Sequence, residues 1–479
     1  MSQRQITSLA TLPQELTDNI TSHLVTRGDL SNLSKTCKTI RAAVLATLYE
    51  NITMVVYGTY NECTHRPAKV PPMNFFLQTL LENPKLAHHV RSIEFKAIGH
   101  RIASQCGIKP PLPPMAHSPS FAPLVEETTQ RLRLTKTSMA IELVNGVLEN
   151  DFHAVTALIL LLCQNVVSVT LGLDFLIRNP FLAAVIECAV PRGTGTDPQD
   201  VIFQSLKVLE MGTNLDPKED TDTFRVLWPR RLPGDILRLK NYLPLFYLPV
   251  VERLVLSLPA LEPGVQFRWP AESAPLSKLT SLLLPECSVP PEILRKVLAS
   301  TPYLVRLEYD CSLHTYERFD ASAFEAGLDL VKDTLVHLET RIHFWSRETV
   351  QPMDEEEVWV TNGCSLRGMR ALRHVSLPIC VLLGWEYATA ARLAEALPPD
   401  LLTLRLQGDF CYYAGDEWDE ERLTPCLQTF IADGNWTLST PMLQRIVVAY
   451  GHDGFEEASL LEDAFSASGL ELVIGSKYP

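Results

Sequence analysis

From Leu254 to Leu404 one spacing recurs: an apolar residue, two free positions, a second apolar residue, one free position and a third. The copies are Val251/Leu254/Leu256, Leu279/Leu282/Leu284, Leu304/Leu307/Tyr309, Leu335/Leu338, Leu372/Val375/Leu377 and Leu401/Leu404/Leu406, the fourth being defective at Thr340. Earlier copies are Val90/Ile93/Phe95, Val166/Val169/Leu171 and Leu206/Leu209/Met211. With 46% hydrophobic residues, three fixed positions match by chance about one time in ten, so the triplets alone decide nothing. Punctuation decides: the middle positions step by 28, 25, 31, 37 and 29 residues, with helical runs in several of the gaps. Ile293, Leu294, Val297 and Leu298 follow Pro290-Pro291; Phe324, Leu328 and Val331 follow Asp320; Tyr387, Ala391, Ala394 and Leu397 precede Pro398-Pro399.

A strand followed by a helix at such a repeat predicts an α/β array of parallel strands with helices on the outer face, because strand and helix then close one shared core. A doubly wound α/β domain shares the alternation and is the rival architecture, favoured by the irregular spacing. The 479 residues carry 20% charged side chains, too few for a disordered chain at this apolar content. Before the regular repeats the pattern thins: 76 residues separate Ile93 from Val169. Leu134 to Leu148 and Phe152 to Cys163 read there as helices, the second too apolar to face water on any side. Loops are predicted at 109–123, 191–200, 351–366 and 413–421.

Forty-two Lys and Arg stand against 56 Asp and Glu, a net charge of -14, which argues against nucleic acid as a ligand. Eleven cysteines with no C-x-x-C fit buried thiols in a reducing compartment rather than a disulfide framework or a zinc finger. The longest near-apolar run, Ala154 to Cys163, is half a membrane span, and no signal-peptide core precedes the first helix, so no membrane association and a cytoplasmic or nuclear location are expected. Phosphate-loop, dinucleotide, nucleophile-elbow and zinc-protease motifs are missing, so no catalytic residue, cofactor or metal is expected. Of the twelve histidines, His88-His89 and the pair His337, His343 read as ordinary buried or surface side chains.

The first fifty residues read differently. Pro13 and Glu15 suit a helix start, and Leu16, Ile20 and Leu24 follow at four-residue steps. Gly28 is expected to end this helix and Asp29 to cap a second, with Leu30, Leu33, Ser34 and Cys37 on one face. Ile40, Val44 and Leu48 mark a third. Three helices of about three turns form only a thin core, so such a unit gains by covering its apolar stripe with a partner. The plainer alternative is an N-terminal cap on the array.

Leu12-Pro13-x-Glu15-Leu16, Ile20, Leu24, Asp29-Leu30, Leu33-Ser34, Cys37-Lys38, Arg41 and Leu48-Tyr49 together resemble an F-box, in the form common among fungal F-box proteins. Val44-Leu45 stands where many members place an aromatic residue. The degenerate copies, without a regular Asn at the turn, resemble the divergent leucine-rich repeats found behind such F-boxes. The resemblance implies an F-box over 1–50 and an irregular leucine-rich-repeat solenoid over 51–479. It further implies that Leu12, Pro13 and Leu16 contact the Skp adaptor of a cullin-RING ubiquitin ligase, with Ile20, Leu24, Leu30 and Leu33 supporting or extending that surface.

In a solenoid the side chains between the buried triplet positions form the open sheet face, where repeat proteins hold ligands. That register nominates Glu94, Glu210, Arg253, Arg306, Glu308, Asp310, His337, Glu339, Arg341, His374 and Arg405 as target-binding residues. The acidic runs Asp354 to Glu357 and Asp416 to Glu421, beside Trp359 and Trp418, could grip a basic partner, although a solvated loop is the plainer reading. The expected role is a substrate-recognition subunit for an unidentified target protein. The alternatives are a leucine-rich-repeat scaffold without a part in ubiquitination, and an enzyme gathering His, Cys and carboxylates from distant segments.

Overall fold

Each apolar spacing places two alternate strand residues inward and one at the preceding bend, and the computed structural model buries every one of those positions. It describes residues 12–24, 26–57, 70–98, 112–114, 120–131, 137–172, 175–176, 179–187, 203–212, 239–259, 261, 264–314, 317–345, 360–407, 418–432, 434, 436–450 and 458–476. Two compact units divide the chain, Met1–Asp216 with Gly234–Leu237 and Leu248–Val250, and Pro217–Pro233 with Arg238–Tyr247 and Val251–Pro479.

The first unit opens with helices α1 (Gln14–Ser22), α2 (Arg27–Ser34) and α3 (Lys38–Glu50), followed by strands β1 (Asn51–Tyr57), β2 (Ser92–Ile98), β3 (Ser168–Leu171) and β4 (Val208–Met211). The strands pair in parallel and in sequence order, with Ile52, Ile93, Val169 and Leu209 side by side. The helix Phe152–Leu162 is buried along Phe152 to Leu161, on all its faces, as its composition predicts. Asp151 caps it, accepting from the backbone N–H of His153 and Ala154 at 2.9 and 3.0 Å. Phe152 meets Phe175, and Phe175 stacks on Phe95 of β2, with ring centroids 4.8 and 5.3 Å apart. Helix thus reaches strand through three aromatic rings.

The second unit holds β5 (Arg253–Leu256), β6 (Ser281–Cys287), β7 (Arg306–His314), β8 (His337–Trp345), β9 (His374–Pro378), β10 (Thr403–Gln407), β11 (Arg445–Tyr450) and β12 (Glu471–Ser476). All are parallel, each beside its sequence neighbour, and Leu254, Leu282, Leu307, Leu338, Val375, Leu404, Ile446 and Leu472 form one continuous row. Among the described strands the order reverses within neither unit, which fits a solenoid and not the switch point of a doubly wound sheet. Thr340, the defective position, is fully buried beside Tyr309.

Helices close the core behind these strands. Pro291–Leu298 starts at its proline, and Ala321–Leu328 starts at Asp320, whose carboxylate accepts from the Ala323 N–H at 2.9 Å. Gly327 lets the two approach closely, since a Cβ there would lie 3.3 Å from the Arg295 Cα. Phe324 packs on Tyr309 at 5.9 Å and on Phe319 at 5.4 Å.

Four local expectations are corrected. The last residues of the loop expected over 109–123 belong to a helix, Phe121–Arg131, with Phe121 and Val125 buried, while 112–114 have no regular structure and 109–111 and 115–119 lie outside the described residues. A helix from Tyr387 to Leu397 does not form; the segment is a single turn, Tyr387–Thr389, and a short helix, Leu393–Ala396. Between them the backbone extends, and the Ala391 N–H donates to the Leu383 carbonyl instead of to its own turn. The helix Glu420–Ala432 takes over the end of the loop expected at 413–421. Finally Trp418 is no free contact surface: it is buried and its Nε1 donates to the Gly384 carbonyl at 2.9 Å. The loop 191–200, the acidic run Asp354 to Glu357, Trp359 and residues 413–417 lie outside the described residues.

Candidate functional site

Two places answer to the residues nominated by sequence, one in each unit. In the first, α1 begins after Pro13, whose carbonyl accepts from the N–H of Leu16 and Thr17 at 3.1 Å. Thr17 and Thr21 are buried on the inner face of α1, whereas Leu16 is 50% and Ile20 39% exposed. That is inverted amphipathicity: the short polar side chains face inward and the large apolar ones face out. Thr17 manages its burial by donating its hydroxyl to the Pro13 carbonyl at 3.2 Å. Pro13 is exposed and Leu12 half-buried, so the strip runs from the head of the helix.

The remaining nominated residues hold this helix up. Leu30 lies in the small core with Ile40 and Val44, and Leu24, Leu33, Cys37 and Leu48 pack against it. Leu30 therefore supports the bundle and presents no surface of its own. The helix boundaries differ from those expected, because Thr26 rather than Asp29 caps α2, accepting from the Asp29 N–H at 3.1 Å while its hydroxyl donates to the Asp29 carboxylate at 2.5 Å. α1 consequently ends at Ser22, and Gly28 sits inside α2.

In the second unit the alternation of each strand puts the nominated charged residues on one sheet face, where in-register pairing lines them up. One row runs Arg253, Ser281, Arg306, His337, His374, Thr403, Arg445, Glu471. The next includes Glu308, Glu339, Ser376 and Arg405, and a third pairs Asp310 with Arg341. Arg306, Glu308, Asp310, His337, Glu339 and Arg341 thus gather on β7 and β8, with His374 alongside on β9. Arg253 lies one strand beyond β6, and Arg405 is separated from Glu339 by Ser376. Glu94 and Glu210 belong to the first unit, on β2 and β4.

The cluster is tightly paired. Arg306 holds the Oε1 of Glu308, Arg341 donates to the Oε1 of Glu339 at 2.5 Å, and His337 Nε2 stands 3.9 Å from the Oε2 of Glu339. The facing imidazole draws the carboxyl of Glu339 down to about 2, with Arg341 adding to the effect against the opposing cost of burial. His374 has its pKa lowered, by burial first and then by His337, its ring 6.0 Å away. Residues not nominated by sequence extend the face. His343 Nε2 lies 3.0 Å from the Asp310 carboxylate, Gln407 donates to the Ser376 hydroxyl at 2.7 Å, and Arg445 grips Glu471 through two contacts of 2.7 Å. The signal for His343 was its place two residues beyond Arg341, on the same side of the strand.

No described helix is long and apolar enough to cross a membrane. No family model and no curated relative matches the chain. Among solved structures it is similar to a chain in the crystal structure of the Rad7 and Elc1 complex in yeast, at 12% identity and a TM-score of 0.31, over 96% of this chain and 92% of that one. At that level of superposition neither partner nor activity transfers.

Proposed function

We propose that this chain is a substrate-recognition subunit of a Skp-cullin-F-box ubiquitin ligase, with α1 to α3 as the F-box and the charged sheet face of β7 to β9 as the surface that holds a target protein. The observation that carries the proposal is the inside-out first helix, with Leu16 and Ile20 in water above buried Thr17 and Thr21. Exposing such side chains next to Pro13 costs hydrophobic free energy that a helical partner's groove recovers. Bond chemistry then belongs to partner chains, and this one contributes proximity, raising the target's effective concentration near a conjugating enzyme.

The test is capture of a purified Skp adaptor by the full chain. Leu16→Asp with Ile20→Asp should weaken capture at least tenfold, about 1.4 kcal/mol, with the circular dichroism spectrum unchanged because both side chains already face water. Undiminished capture by that double variant, or none by the wild type, would remove the adaptor role. For the target face, reversing the pair as Arg306→Glu with Glu308→Arg should remove target proteins from the captured complex while leaving the adaptor in it.

A further inference from the structure

Glu308, His337 and Glu339 each bring one potential ligand atom to a common point, all three atoms within 4.8 Å of one another. Backbone register sets this geometry, since Glu308 on β7 is directly opposite Glu339 on β8, and His337 precedes Glu339 by two residues on the same face. Arg306 donates to the Oε1 of Glu308 and Arg341 to the Oε1 of Glu339. An arginine bonded to one oxygen of a ligating carboxylate orients it and leaves the other oxygen to the ion. His337 Nε2 is buried, has no close hydrogen-bond partner among the described residues, and faces the Oε2 of Glu339 at 3.9 Å.

We propose that Glu308, His337 and Glu339 bind a divalent transition-metal ion of the zinc class. Zinc bonds of about 2.0 to 2.2 Å place two tetrahedral ligand atoms about 3.4 Å apart, so the three atoms, within 4.8 Å of one another and 3.9 Å apart for His337 and Glu339, draw together on binding. The imidazole selects against magnesium and calcium, which prefer all-oxygen shells. Three protein ligands leave a fourth position facing outward from the sheet, open to water or to a side chain of whatever lies on this face. The site stands independently of the adaptor role proposed above.

The test uses the full chain stripped with a chelator, titrated with zinc by calorimetry and with cobalt(II) by visible absorption. One saturating equivalent is expected, with cobalt bands lacking the thiolate charge-transfer absorption that any of the eleven cysteines would add. His337→Asn should weaken binding at least tenfold, and so should Glu308→Gln with Glu339→Gln. Zinc should raise the melting temperature of the wild type and of neither variant. The absence of saturable binding, a thiolate band, or binding that survives His337→Asn would each overturn the proposal. Should the variants unfold, the wild-type cobalt spectrum decides alone, because sulfur-free coordination supports this site and sulfur ligation refutes it.

Discussion

Thr340 occupies a slot that Leu284 and Tyr309 fill on neighbouring strands, fully buried, and its hydroxyl has no hydrogen-bond partner among the described residues. A buried hydroxyl left unpaired costs about 1–3 kcal/mol, so Thr340→Val, which keeps the shape and removes the polar atom, should stabilise by about 1 kcal/mol. A denaturant midpoint that moves downward would show that the hydroxyl is satisfied after all. Burial also pushes the thiols of Cys163, Cys287 and Cys364 up to about 12 from the ordinary 9.0. The native chain therefore keeps protons that the unfolded chain sheds, so this contribution to stability is full below pH 9 and lost as pH rises toward 12. Iodoacetamide at pH 8 should label none of the three in the native protein and all three in urea, as peptide mass spectrometry would reveal. At this scale the sequence made the inward triplets legible, because strand alternation is local. It left Trp418 illegible, because its partner, the Gly384 carbonyl, is 34 residues away.

Elements were readable where their own first residues set them. Pro291 and Asp320 start the helices they announce, and Asp151 starts the buried Phe152–Leu162. Asp151→Ala should cost about 1 kcal/mol in chemical denaturation, with Asp151→Asn recovering most of it. An element was misread where a distant backbone competes, as at Ala391. In β6 the register slips between Leu284 and Cys287, around Pro285, which has no N–H to give, and Glu286, which has a positive φ of 46°. β11 keeps the triplet spacing as Leu443/Ile446/Val448, but a 42-residue step from Leu404 hides it, and β12 has Gly469 at the first position. Gly363 marks another contact invisible in sequence: a Cβ there would sit 2.6 Å from the Leu382 carbonyl oxygen. Gly363→Ala should therefore destabilise by about 1–3 kcal/mol, measurable as a lowered unfolding midpoint.

At the scale of the second unit, each strand passes its hydrogen bonds only to its sequence neighbours, from β5 to β12. Stability in such an array accumulates rung by rung, and a strand with a neighbour on one side is held less firmly than one with two. Hydrogen exchange should accordingly be slowest in β6 to β8 and fastest in β12, and equal protection across all eight strands would reveal a single all-or-none body instead. The charged face was legible at this scale because in-register pairing repeats one alternation, so Arg306, His337 and His374 fall in a row without any long-range information. The inside-out α1 was only half legible, since sequence supplied the stripe Leu16, Ile20 and Leu24 but not the direction in which it faces.

The pairing of Leu282 with Leu307 spans 25 residues and that of Leu338 with Val375 spans 37, yet both keep the same alignment. Return segments in this chain therefore vary in length without disturbing the ladder they join. Evolution, or an engineer, is free to remodel the edges of the charged sheet face by insertion while the framework beneath it stays as it is.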